Sequence, residues 1–297
     1  MDLKWDDLRL FLAVHETGSL SGAARALRLG QPTLSRRMAE LETQVGEALF
    51  VRSTQGVVLT ECGLRLLPSA QRMAEWATEA NHSLTKHGEG PSGRVRIAAP
   101  PGVAQDFLAP FAAQLISSFP NLRLDVLSGL EILNLARGEA DLSMRVTPPT
   151  DPELICIDKI TGPIRVYVAR SYAEQLPSPC QLADLRWISW AAPYESLRSH
   201  QALMEAIPGF APVFCSDDYN VQRSACEAGV GAMLEARILH RFACIRNLVE
   251  LDIDLGPDAA GTIHLVCHRR QRNLPKVRAV IEALREEFAL ARRESPP

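Results

Sequence analysis

Four arginines, Arg25, Arg28, Arg36 and Arg37, stand between Thr17 and Ala39 with no acidic residue among them. In the second half of this stretch Leu34, Met38, Leu41 and Val45 recur at steps of four, three and four. That spacing predicts a helix with a narrow apolar stripe. Thr33, Arg36, Arg37 and Glu40 fall on its opposite side. An exposed face of this kind suits a DNA major groove. The Gln31 amide and the Arg36 guanidinium can form the paired hydrogen bonds that distinguish adenine and guanine, and the Thr33 methyl can meet thymine. Ser35, Arg37 and Arg52 are assigned to phosphates, and Pro32 and Ser53 complete the candidate DNA-binding set. The plainer reading is a solvated helix face.

The elements around this face follow from local pattern. Residues 6–17 place Leu8, Phe11, Leu12 and His15 at helical spacing, with Asp6 and Asp7 in the first turn, where the helix dipole favours acids. Gly18 ends that helix and Ser19 can cap the next, which carries Leu20, Ala23, Ala24 and Leu27. Leu29-Gly30 makes a turn, and Pro32 falls in the first turn of the following helix, where its missing N–H costs nothing. Leu49-Phe50-Val51 and Val57-Val58-Leu59 flank a polar run and read as a small β-hairpin. Thr60 can cap a long helix reaching about His87. Along it Leu66, Ala70, Met73, Ala77, Ala80 and Leu84 form a heptad seam, which predicts dimerisation. A helix packed on its own chain would carry the same pattern.

Three glycines and a proline between His87 and Gly93 mark a linker. Beyond it strands and helices alternate. Strands are expected at 94–99, 122–127, 141–146, 155–160, 164–169, 187–190, 213–215, 232–234, 248–252 and 262–268. Helices are expected at 103–118, 130–137, 194–206, 218–228, 236–243 and 274–292. The alternation argues for parallel, helix-covered α/β sheets.

Composition narrows the function classes. A chain of 297 residues with 46% hydrophobic and 23% charged residues fits a globular protein of two or three cores. An acidic N-terminus, no spanning apolar run and seven cysteines without a CxxC pair lead to a cytoplasmic expectation. Net charge is −3, and residues 1–90 carry ten basic and eleven acidic side chains. Any nucleic-acid binding must therefore rest on local clustering. His264 and His268 share a strand face while Cys267 points away, so no metal site is expected. No GxSxG-like context surrounds a serine, so neither a catalytic residue nor a cofactor is expected.

The order of parts resembles the LysR-type transcriptional regulators over essentially the whole chain. The densest match is LxxFxAVxExGSLxxAAxxLxxxQPxLSRxxxxLExxxGxxLFxR from Leu8, followed by LTxxGxxLLP; LARGEADLSMR (135–145) and, more loosely, GVGAMLEARIL (229–239) resemble the family's effector domain. The resemblance implies an N-terminal all-α winged helix-turn-helix over 1–60, a dimerisation helix over 61–87 and a hinge over 88–93. It implies an α/β effector domain over 94–297, two-lobed like a type 2 periplasmic binding protein. Lobe I is expected at about 94–163 and 268–297 and lobe II at about 164–267. The implied function is promoter binding modulated by a small molecule held between the lobes. The implied partners are double-stranded promoter DNA, further copies in a dimer or tetramer, the unidentified effector and RNA polymerase.

Candidate effector contacts lie at the expected strand ends: Pro100, Pro101, Gly102, Val103, Ser128, Gly129, Arg145, Trp190 and Ser216. Arg145 is a candidate carboxylate clamp, with an ion pair to Asp141 or another acid as the alternative. Backbone N–H groups of Gly102, Val103 and Ala104 are candidate anion donors. Three departures from the family pattern stand out. Gly30 replaces a hydroxyl residue before Gln31-Pro32, the wing has Arg52 as its one charge, and Pro100-Pro101 stands where a Ser or Thr is common. A related branch of the family switches through a disulfide, which brings Cys215 and Cys226 into view as redox residues, with Arg223 as a basic neighbour. Two other readings compete: the same DNA-binding regulator without a small-molecule effector, and a solute-binding or enzymatic protein whose N-terminal domain mediates association.

Overall fold

The computed structural model describes residues 3–53, 56–84, 90–238, 240–242, 247–256 and 259–294. Two compact units emerge, Met1–Gly88 with Arg137–Glu139 and Glu89–Ala136 with Ala140–Pro297.

The first unit packs α1 (Trp5–Thr17), α2 (Leu20–Ala26) and α3 (Gln31–Val45) around Leu8, Phe11, Val14, Ala23, Ala24, Leu34, Met38 and Leu41. Gly18 closes α1 in the left-handed region, at φ 63°, with its N–H on the Val14 carbonyl. Ser19 caps α2 by accepting the Gly22 N–H at 3.0 Å. The hairpin pairs β1 (Phe50–Ser53) with β2 (Gly56–Leu59), Phe50 opposite Leu59. Thr60 Oγ1 accepts the Gly63 N–H at 3.0 Å at the head of α4 (Glu61–Leu84).

The second unit starts with β3 (Gly93–Ala99). A helical stretch follows, α5 (Pro101–Val103) running through a π turn (Ala104–Leu108) into α6 (Ala109–Ser118). Next come β4 (Leu122–Ser128), β5 (Leu142–Arg145) and β6 (Leu154–Ala169), then α7 (Arg170–Ala173), β7 (Ile188–Trp190), α8 (Arg198–Ala206), β8 (Phe214–Ser216) and α9 (Tyr219–Glu227). The chain ends with β9 (Met233–Ala236), β10 (Leu248–Leu251), β11 (Ala260–His268) and α10 (Pro275–Glu294). The larger sheet runs β10-β6-β11-β5-β3-β4, with β9 also on β6, and β7 pairs β8 separately. Phe107, Leu108, Phe111 and Leu115 from one side of the chain meet Val277, Val280, Ile281, Leu284 and Phe288 of α10 in the main core. A second core gathers Val166, Val168, Tyr172, Trp187, Leu203 and Ala232.

Four expectations change. The sheet is mixed: β3 is parallel to β4 and β5, whereas β11 is antiparallel to β5 and β6, and β9 and β10 are antiparallel to β6. Alternation along the chain does not register the direction of a strand that returns through a long connection. The two strands expected at 155–160 and 164–169 are one 16-residue strand. Gly162-Pro163 reads as a break, but the flanking backbone stays paired, with Arg237 N–H on the Pro163 carbonyl at 2.7 Å and Ile164 N–H on the Ala259 carbonyl at 2.8 Å. The helix expected at 130–137 is a run of bends and turns. Eight residues closed by Gly138 at φ 72° are too few to offset helix nucleation. At 236–243 the described residues after β9 are not helical, because Arg237 continues the β6 pairing; residues 239 and 243 lie outside the described set.

Candidate DNA-recognition and effector sites

Burial of Leu34, Met38 and Leu41 turns the other side of α3 outward. Gln31, Pro32, Thr33, Ser35 and Arg36 are all exposed. Gly30 is the N-cap with extended backbone and contributes no side-chain hydrogen bond. Arg36 lies 3.6 Å from Glu40, both well exposed, so this ion pair competes little with another anion. Arg37 stands apart: its Nη2 is 2.6 Å from the Asp7 carboxylate of α1, which ties it back to the helical core. Arg52 and Ser53 lie on β1, and their side chains fall outside the described set.

Residues not singled out from the sequence position this face. The Glu42 carboxylate accepts the Leu49 and Phe50 N–H groups at 2.7 and 3.2 Å, fixing the start of the hairpin to α3. Val57 N–H donates to the Gly18 carbonyl at 2.9 Å. The approach is so close that a β-carbon on Gly56, at φ 117°, would stand 2.6 Å from that oxygen. Both are contacts between segments distant in sequence, and no local pattern announces them.

On α4 the seam divides. Ala70 is fully buried, and Leu66 and Met73 pack against the same N-terminal core. These three seam positions face their own domain, as they would in a helix packed on its own chain. Ala77 is half-buried and Ala80 exposed, and the Leu84 side chain lies outside the described set. The large apolar side chains that α4 leaves open are Leu64 and Trp76, 57% and 50% exposed.

In the second unit the strand register brings several candidate effector residues to one edge. Ala99 pairs with Ser128, Ala98 with Ser143, and the Gly129 N–H donates to the Ala99 carbonyl at 3.0 Å. Pro100, Ser128, Gly129 and Arg145 therefore lie at the carboxyl ends of three neighbouring parallel strands. Ser128 and Gly129 are exposed, Pro100 half-buried and Pro101 buried. Arg145 is only 8% exposed. It makes no ion pair among the described residues; Asp141 instead accepts the Arg96 N–H at 2.8 Å. Arg145 Nε donates to Ser143 Oγ at 3.3 Å. Its Nη2 is buried without a hydrogen-bond partner, and burial pulls the guanidinium below its ordinary pKa.

The helix start beyond Pro100 is filled by the protein itself. The Ala104 N–H donates to the Pro100 carbonyl at 2.9 Å, so it is not open to an anion. The Tyr219 ring of α9 lies on Gly102, where an added β-carbon would be 2.6 Å from Cε1. One helical turn along each partner, the Asp106 carboxylate pairs with Arg223, which also approaches Glu227 at 3.7 Å. Tyr219 is hydrogen-bonded to Glu235; burial first, then Glu235, pushes the phenol well above its ordinary value. Glu235 is itself raised by burial, against the lowering influence of Tyr219 and Arg223. Asp106, Tyr219, Arg223 and Glu235 escaped the sequence reading, although Tyr219 and Arg223 stand at helical i, i+4 spacing.

Trp190 and Ser216 are neighbours across β7 and β8. The Trp190 indole donates to Ser199 Oγ at 3.0 Å and meets the Tyr194 ring edge-on at 6.1 Å. Ser216 serves the fold: its Oγ accepts the Asp218 N–H, and its carbonyl accepts from Gln222 and Ala191. The cysteine switch has no support. Cys226 is buried, gives its thiol hydrogen to the Tyr167 carbonyl and is pushed up to about 12 by burial, while burial also raises exposed Cys215. The described residues contain no cluster of three metal-ligating side chains, and no described helix is long and apolar enough to cross a membrane.

Two family models match: the "Bacterial regulatory helix-turn-helix protein, lysR family" over residues 5–64 and the "LysR substrate binding domain" over residues 88–289. An HTH-type transcriptional regulator of Xanthomonas campestris is 32% identical over 61% of this chain; that alignment spans only 53% of the relative. The regulator PtxR of Pseudomonas aeruginosa is 29% identical over 96% of this chain and 93% of its own. The solved structure of CrgA, a LysR-type regulator of Neisseria meningitidis, covers 97% of this chain and 99% of its own with a TM-score of 0.56 at 24% identity, a likeness of fold. The chain belongs to the LysR family of helix-turn-helix proteins.

Proposed function

We propose that this protein is a transcriptional regulator that binds promoter DNA through the exposed face of α3 and answers to a small molecule at the strand ends of its α/β unit. The observation that carries this reading is the sidedness of α3. Leu34, Met38 and Leu41 anchor it, while Gln31, Thr33, Ser35 and Arg36 stand free of the core at its N-terminal half. Those side chains match base-edge and phosphate chemistry, and a helix presenting its first turns is the form in which helix-turn-helix proteins enter a major groove. Arg37 acts chiefly as an anchor to Asp7. A domain without net positive charge gains affinity when two copies are joined, because linked sites raise effective concentration. A second copy bound along α4, and RNA polymerase at the promoter, complete the set of partners.

Gel shift with the DNA upstream of the protein's own coding sequence tests this. Arg36→Ala and Gln31→Ala should each weaken specific binding by about 1–3 kcal/mol, roughly tenfold to a hundredfold, at fixed salt. Binding left intact in both variants would remove α3 from the interface.

A further inference from the structure

We propose that Arg145 is the carboxylate clamp of a site for a small organic acid with an apolar body, formed on one face of the β3-β5-β11-β6 sheet and served by His264 and Lys159. This deepens the effector reading above and rests on it for its regulatory consequence.

Arg145 is opposite His264, and His264 is opposite Lys159, across adjacent antiparallel strands. Residues directly opposite share a face, so three basic side chains follow one another across β5, β11 and β6. The acids of these strands are held elsewhere. Asp158 pairs with Arg285 and Arg292 of α10, and Asp141 accepts the Arg96 N–H. A guanidinium nine-tenths buried, with Nη2 lacking any partner, bears a desolvation cost that the protein's own groups leave uncompensated. An anion would compensate it, and the planar fork of arginine fits a carboxylate with two parallel hydrogen bonds.

The surroundings favour an organic acid over an inorganic anion. Ala98, Val266, Leu135 and Ala140 form a buried apolar cluster, with Leu127 and Leu133 against it. Register puts Ala98 and Val266 beside Ser143, on the face that carries Arg145. Exposed Ser128, Gly129 and Val146 edge the same strand ends, and a β-carbon on Gly129 would meet nothing within 4 Å. Phosphate has no part to lay on such a surface.

The test is thermal unfolding and calorimetric titration of the full chain with sodium hexanoate and sodium benzoate, against chloride and phosphate at equal ionic strength. At least one organic acid should raise Tm saturably, because it binds only the folded state, while the inorganic anions do not. Arg145→Met should abolish the saturable shift. Should that variant fail to fold, Arg145→Lys, which keeps the charge but loses the fork, should weaken calorimetric binding by about tenfold or more. No saturable shift with either acid, an equal shift in Arg145→Met, unweakened binding in Arg145→Lys, or an equal effect of phosphate overturns the site. Promoter binding in the same samples separates the two claims. Acid bound through Arg145 without any change at the promoter upholds the site and removes its regulatory role. A promoter response to an uncharged compound, with neither acid bound, removes the site and leaves the effector reading standing.

Discussion

The Tyr219 ring rests on the backbone of Gly102, close enough that a β-carbon there would stand 2.6 Å from Cε1 and 2.9 Å from Cδ1. This contact and the Asp106–Arg223 pair join the start of α5 to α9. Gly102→Ala should therefore lower stability by about 1–3 kcal/mol, the usual cost of forcing an extra carbon into a packed site. Combining it with Tyr219→Ala should cost less than the sum of the two changes, since the second removes the obstacle. Additive losses in denaturant titrations would mean that the ring moves aside freely.

Glu42 should matter more for the hairpin than its position late in α3 suggests. Glu42→Ala leaves two N–H groups, those of Leu49 and Phe50, without their acceptor. The expected loss is about 1–3 kcal/mol, with weaker promoter binding as the hairpin loosens. Glu42→Gln keeps an acceptor oxygen and should lose less. Equal effects of the two variants on Tm would show that the carboxylate's charge, rather than its acceptor geometry, holds the hairpin.

Glu235 gives a pH-dependent signature. Burial raises its folded-state pKa above the ordinary 4.5. A raised pKa means that the protonated form is favoured on folding, so its stabilising contribution is complete below about 4.5 and is lost as pH rises through the folded value. At neutral pH the buried carboxylate is a liability. Glu235→Gln, which still accepts from Tyr219, should be more stable than wild type at pH 7, with the gap closing toward pH 4.5. A gap that widens on acidification would reverse the assignment.

The two sides of α4 should separate cleanly. Met73→Glu places a charge against the core that holds Ala70 and should lower Tm. Trp76, half exposed, should tolerate Trp76→Glu with little change in Tm, while light scattering reports loss of the dimer. A dimer of unchanged mass in Trp76→Glu would place the pairing surface away from this side of the helix.

Local pattern in the amino-acid sequence alone determined a good deal here. The steps of four and three in 34–45 set the buried and exposed sides of α3, Gly18 and Ser19 set the helix junction, and a polar run between apolar triplets set the hairpin. Each is a property of residues within one or two turns of each other, where backbone geometry dictates which side chains share a face. The same logic placed Pro100, Ser128, Gly129 and Arg145 at strand ends. Tertiary structure alone decided what those residues meet. The period of α4 reads the same whether it faces its own core or a second copy, and only packing turned Leu66, Ala70 and Met73 inward. Gly162-Pro163 looks like a break until β9 and β11 pair on either side of it. Arg37 finds Asp7 thirty positions away, and Arg145 finds no acid at all. Pairings of this kind depend on register and on which faces press together, and neither is encoded in the spacing of neighbours along the chain.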